Sequence, residues 1–140
     1  MNPDALQRFV DAQSAVWPDV QSELRAGRKV SHWMWFVFPQ LTDLGRSATA
    51  KFYGLRDLHD ARAFVEHPVL GPRLLHCCEI LVQLPGHDAT AIFGKVDAMK
   101  FRSCLTLFAE AAPGQPQFRA CLQKYFGGEA DPLTKQLLGM

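Results

Sequence analysis

Residues 72–86, PRLLHCCEILVQLPG, spread apolar side chains round most of a helical wheel and leave only His76, Glu79 and Gln83 on a narrow polar stripe. A helix at a surface needs a broad polar face, so this pattern predicts a central, largely buried helix with others laid round it. The remaining chain reads as those others. Leu6, Phe9 and Val10 recur at helical spacing after Asn2 and Pro3, which suit a cap and a first turn, and predict a helix over about 3–15. Pro18 is expected to open a second segment carrying Val20 and Leu24, stopped at Gly27.

SATAKFYG and DLHDARAFVEH read as short amphipathic helices, followed after the apolar helix by a DATAIFG segment and a long helix over KVDAMKFRSCLTLFAEAA. QFRACLQKYF and PLTKQLL close the series across Gly127-Gly128, with Asp131 and Pro132 as cap and first-turn residue. Strand signals are weak. WMWFVF, residues 33–38, fits a buried strand by composition, but no partner strand is evident to satisfy its backbone. The expected fold is therefore all-α: a compact single-domain multi-helix bundle over 1–140, with about seven to nine mostly short helices.

With 140 residues and 48% hydrophobic composition, the chain has enough material for one core. Fifteen Lys and Arg against 14 Asp and Glu leave a net charge of +1, which argues against a nonspecific nucleic-acid binder and makes any anion recognition local. No apolar run is long enough to span a bilayer, and MNPDALQRF is polar and acidic, so a soluble cytoplasmic protein is expected, with no membrane partner. Cys77, Cys78, Cys104 and Cys121 lie in apolar helical patterns, as buried thiols do. No Cys/His ligand spacing, phosphate-cradling glycine loop, dinucleotide fingerprint or Ser-His-Asp order is present, so neither a metal nor another cofactor is implied. His76 beside Cys77 and Cys78 raises nucleophilic chemistry only weakly, because neighbours on a helix point about 100° apart.

Charges on apolar helix faces are the informative departures, since a buried ion is costly unless paired. On the wheel of 95–112, with Val96, Cys104, Leu107, Phe108 and Ala111 on one arc, Lys100 and Asp97 fall on that arc and close enough to pair, while Arg102 and Thr106 fall on the polar side. Asp97 can be a first-turn residue favoured by the helix dipole and Lys100 a stem over the core. Alternatively, both face a cleft in which the ammonium takes an anion and Asp97 holds it in place. Arg73, near the start of the central helix, runs against the dipole and is expected to find a carboxylate or an anion. Ahead of the aromatic run stand Arg28, Lys29, Ser31 and His32, and Arg46 follows it after Gly45. Arginine can grip a phosphate or carboxylate, and Trp33 or Trp35 could stack on a base, although such runs are more often core. Ser31 suits a cap for the next helix.

The strings LRAGRKVSHWMWFVFPQL, HPVLGPRL, DAMKFRSCLTLF and KYFGGEADPLT, in this order, resemble the bacterial domain-of-unknown-function family 1810, sometimes labelled calpastatin-like. The resemblance covers nearly the whole chain and implies a single all-helical domain. It carries no established activity and no catalytic residues. Lys29, Ser31, His32, Trp33, Trp35, Gln40, Gly45, Arg46, Asp97, Lys100, Arg102, Ser103 and Thr106 match its motif positions. Calpastatin-like inhibitors are polar and disordered, so a chain this apolar is not expected to act as one.

Two functions follow. In the first, a small anionic or nucleotide-like ligand binds, or is acted on, in a cationic, aromatic-lined cleft. Lys29, His32, Trp33, Trp35, Arg46, Asp97, Lys100 and Arg102 form its candidate set, with His32 as the only obvious acid or base. In the second, the chain is a non-enzymatic interaction module or homodimer whose aromatics are core and whose charges are structural bridges.

Overall fold

A computed structural model describes residues 3–140 and shows, among them, helices and no strand. The Asn2 cap lies outside the described residues. Helix α1 runs unbroken over Pro3–Arg25, so the expected division at Pro18 does not occur. Proline removes the bond to the Ser14 carbonyl at a cost of about 3 kcal/mol. Fully buried Val20 and Leu24 beyond it, continuing the face of Leu6, Phe9 and Gln13, outweigh that loss.

The WMWFVF run is not a strand. Its middle forms the one-turn helix α2, Met34–Val37, and Trp33, Met34, Phe36, Val37 and Phe38 are buried. Gln13, itself buried, donates from Nε2 to the Phe36 carbonyl at 2.7 Å and fastens this turn to α1. Phe38 meets Phe93 and Phe101 edge-on at 5.9 and 5.1 Å, so the run is the core anchor its composition suggested. Extended residues follow, where Leu41 and Leu55 form a parallel bridge: the Thr42 N–H donates to the Leu55 carbonyl at 2.8 Å and the Leu55 N–H to the Gln40 carbonyl at 3.0 Å.

The next helices are α3 (Ala48–Phe52), α4 (Leu58–Glu66), α5 (Leu70–Gln83), α6 (Ala89–Phe93), α7 (Lys95–Ala111), α8 (Pro116–Phe126) and α9 (Pro132–Leu137). Ser47, Asp57, Asp88 and Asp131 cap α3, α4, α6 and α9, each accepting a backbone N–H three residues on. The C-terminal carbonyls of α5 are met from outside, where the Lys124 ammonium of α8 donates to those of Val82, at 3.0 Å, and Leu84.

The central helix is α7, not α5. Helix α5 buries Leu70, Leu74, Cys77, Cys78 and Leu81 towards α1, α4 and α8 but leaves Val82 and Gln83 exposed. From Phe101 to Ala109, α7 buries every side chain except Arg102, and α4, α6, α8 and α9 pack round it. Its polar positions are silenced locally. Thr106, on the polar side of the wheel, is 1% exposed, because its hydroxyl donates to the Arg102 carbonyl and accepts the Asp131 N–H, both at 2.8 Å. Among the described residues all four cysteines are free and buried, and burial pushes the Cys77 and Cys104 thiols up. A thiol so placed is not a nucleophile.

Arg73 does not find the carboxylate that was one of its two expected partners. Among the described residues no carboxylate pairs with it; its guanidinium bonds Ser14 Oγ at 3.3 Å and lies 5.1 Å over the Trp17 ring. The junction between α4 and α5 is tight at Gly71, where a Cβ would stand 1.9 Å from the Val65 carbonyl oxygen. Backbone cannot give way as a side-chain tip can. Gly71→Ala should therefore lower stability by about 3 kcal/mol, read as a lower urea midpoint with unchanged slope; an unchanged midpoint would show that this corner relaxes freely.

Candidate functional site

The polar shoulder before α2 is held by a residue the sequence reading passed over. Glu23, in the last turn of α1, accepts the Val30 and Ser31 backbone N–H groups at 2.6 and 2.8 Å, the Ser31 hydroxyl, and the Trp33 indole N–H at 3.1 Å. Burial pulls its carboxyl up, but these donors outweigh that and hold it below the usual carboxylate range. Such a carboxylate is a poor base for Ser31, and the hydroxyl serves the loop rather than capping α2. A signal for Glu23 existed: an acid in the last turn opposes the helix dipole and must find donors elsewhere.

The Lys29 N–H bonds the Ile92 carbonyl at 2.7 Å, which brings this loop against α6 and the start of α7. The Lys29 side chain is buried, and its ammonium donates to the Ser31 carbonyl at 2.7 Å, meets Asp97 Oδ2 at 2.9 Å and lies 5.1 Å over the Trp33 ring. A buried ammonium needs such partners. Lys100 shares the same carboxylate at 3.8 Å and lies 5.8 Å over the Trp35 ring. Asp97 thus serves Lys29 closely and Lys100 loosely, and Lys100 keeps charge to offer elsewhere.

That offer faces an open groove of about 580 Å³. One wall is the turn at Leu44, Gly45, Arg46 and Ser47, the floor is Val96, Met99, Lys100 and Ser103 of α7, and Asp131 and Leu133 form the other side. Arg46 is exposed and has no hydrogen bond or ion pair among the described residues. Val96 and Met99 are 67% and 66% exposed, although the wheel grouped Val96 with the core. The face is continuous, but Val96 and Met99, ahead of Phe101, are left uncovered by the described residues. A crevice with room for about one water leads from the groove past Lys100, Gln40 and Ala50 to Trp35.

The structure therefore brings Arg46 and Lys100 together, with Lys29 and Asp97 behind Lys100 and Trp35 at the end of the crevice. Trp33 is fully buried and lines no part of the groove. Arg102 points away, donating to the Glu129 and Ala130 carbonyls at 2.9 Å each and fixing the approach to α9. His32 is exposed beside Trp35, its ring 6.4 Å away, but is not among the groove residues. Gln40, Val96, Met99, Ser103, Asp131 and Leu133 were absent from the expected set. Among the described residues no group of His, Cys, Asp or Glu could hold a metal ion, and no helix is long and apolar enough to cross a membrane.

Fold and groove together define an all-helical protein with an open, cation-bearing surface groove. The chain belongs to the family described as protein of unknown function, DUF1810, whose model matches residues 3–138. It is similar to the conserved hypothetical protein Rv1873 from Mycobacterium tuberculosis, whose crystal structure superposes with a TM-score of 0.96 at 47% identity over 99% of each chain. No curated protein matches it. Neither description carries a calpastatin label, and a helical fold round a continuous core is unlike a disordered inhibitor.

Glu23→Ala should cost about 3 kcal/mol, because it strands the Trp33 N–H and removes a charged acceptor. Since the folded carboxyl titrates below its unfolded value, its stabilisation is complete above the unfolded pKa and is lost as pH falls through the folded one. The difference in urea midpoint between wild type and Glu23→Gln should be constant near neutrality and shrink in acid. A difference that ignores pH would remove the charge from this account.

Proposed function

We propose that the groove binds a small organic anion with an apolar body. Arg46 and Lys100 take the anionic group, and Val96, Met99 and Leu133 cover the apolar part. One observation carries this reading: an exposed arginine without a partner among the described residues shares a groove with a lysine whose carboxylate is already committed. Guanidinium and ammonium are the donors that recognise carboxylate and phosphate, and the adjoining apolar side chains supply area to bury. Lys29 and Asp97 act as positioning residues behind Lys100. Trp33 and Arg102 drop out of the ligand set, and no acid–base pair in the groove supports a particular reaction. A nucleotide is one such anion, with Met99 and Leu133 rather than a tryptophan against its base.

The uncovered Val96, Met99 and Leu133 also favour a second reading, in which this face docks on another protein or on a second copy. Sedimentation of wild type and Met99→Glu separates the two: concentration-dependent dimerisation abolished by Met99→Glu supports docking, and a monomer throughout removes the homodimer.

The ligand reading is tested by thermal shift with nucleotides and with small carboxylates and phosphates. A ligand at 100 times its dissociation constant should stabilise wild type by about 2.7 kcal/mol. Arg46→Ala should lose most of that shift while its own stability changes by less than about 0.5 kcal/mol, as at other exposed sites. Equal shifts in both proteins would take Arg46 out of the site, and no shift with any of these anions would overturn the reading.

A further inference from the structure

We infer that the ligand of this groove is bipolar: an organic anion that also carries a protonated amine, held with its anionic end at Arg46 and Lys100 and its ammonium at Asp131. This rests on the anion-binding reading of the same groove and names the class of molecule.

Asp131 lines the groove with one carboxylate oxygen to spare. Its Oδ2 accepts the Ser103 hydroxyl at 3.0 Å, the Thr134 N–H at 3.1 Å and the Thr134 hydroxyl at 2.5 Å, while Oδ1 receives no donor from any described residue. Capping α9 needs one acceptor oxygen, which Asn or Ser supplies as well as Asp. The charge and the second oxygen are therefore surplus to the cap. No cation of the described chain forms an ion pair with Asp131, although the residue is half-buried and lines the groove. A partly desolvated carboxylate in that position is complementary to a positive group.

The charges along the groove agree. Arg46 and Lys100 are positive and Asp131 is negative, whereas Asp97 lies behind and is committed to Lys29. A ligand carrying only negative charge would gain at the two cations and be repelled at Asp131; one with both signs gains at each end. The spacing is set by α7. Ser103, which bonds Asp131, stands three residues beyond Lys100, a rise of about 4.5 Å along the helix. Met99 and Val96 lie on the same floor and would cover a short methylene chain between the two ends.

Calorimetric titration tests this with ω-aminoalkanoates from aminobutanoate to aminooctanoate, each against the plain alkanoate of equal length. On wild type the best-fitting aminoalkanoate should bind about tenfold more tightly than its alkanoate, the scale of one charge pair at a half-exposed site. Asp131→Asn, which keeps the cap, should bring the two together from both sides: the aminoalkanoate weakens and the alkanoate strengthens as repulsion is removed. Asp131→Ser is a second capping variant should the first melt early. ω-Aminoalkyl phosphates run alongside show whether the anionic end is read as carboxylate or phosphate. Equal affinities on wild type, or an advantage of the amine that survives both Asp131 variants, would overturn this inference and leave the anion site standing. If no probe binds wild type this inference falls and the anion reading stands or falls by the thermal-shift screen, whereas Arg46→Ala binding every probe as wild type does would overturn both.

Discussion

Burying the Phe101–Ala109 stretch of α7 is the constraint on which the rest of the architecture depends. A helix enclosed from Phe101 to Ala109 cannot leave a hydroxyl unpaired, and it turns Thr106 on its own backbone and on the Asp131 N–H. The same arrangement positions α9. Ser103 reaches Asp131, so the polar side chains of the enclosed helix become the fasteners of the last one. Ahead of Phe101 one side of the helix opens to solvent with Val96 and Met99 uncovered, and the groove runs along that side as far as Ser103.

A second set of interactions aligns the opposite flank. Four donors converge on Glu23 and fold the 27–33 segment back onto α1, and Lys29 then ties that segment to α6 and α7. Lys29 is consumed by this work. The consequence for electrostatics is that Asp97, neutralised from behind, restrains Lys100 only weakly. The charge that reaches the groove is thus decided by a residue buried outside it.

Most helices were legible from local chemistry, because Gly and Pro end them and short polar residues start them, as Asp131 before Pro132 shows. The failures were failures of tertiary context. Pro18 is a local break signal, and only burial of Val20 and Leu24 on one shared face carries α1 through it. The choice between α5 and α7 as central helix was misread because composition scores Ser103 and Thr106 as polar, whereas backbone bonding makes them acceptable in a core. In the site, Arg46 was readable as a charge without an obvious local partner, and Lys100 as a cation on an apolar arc beside Asp97. Arg102 fell on the polar side of the wheel, but its commitment to carbonyls 27 and 28 residues away was not readable locally. The apolar lining was invisible for a related reason: a wheel specifies which side chains share a face but not where the neighbouring helices stop.

The thiols have a consequence of another kind. Cys77, Cys78, Cys104 and Cys121 are distributed over α5, α7 and α8, all sealed in the packing of those three helices. No thiol is within reach of an oxidant or alkylating reagent until α8 parts from α5 and α7. Thiol modification is therefore a gauge of opening, and oxidants reach these cysteines at the rate at which the core breathes rather than the rate at which reagent arrives.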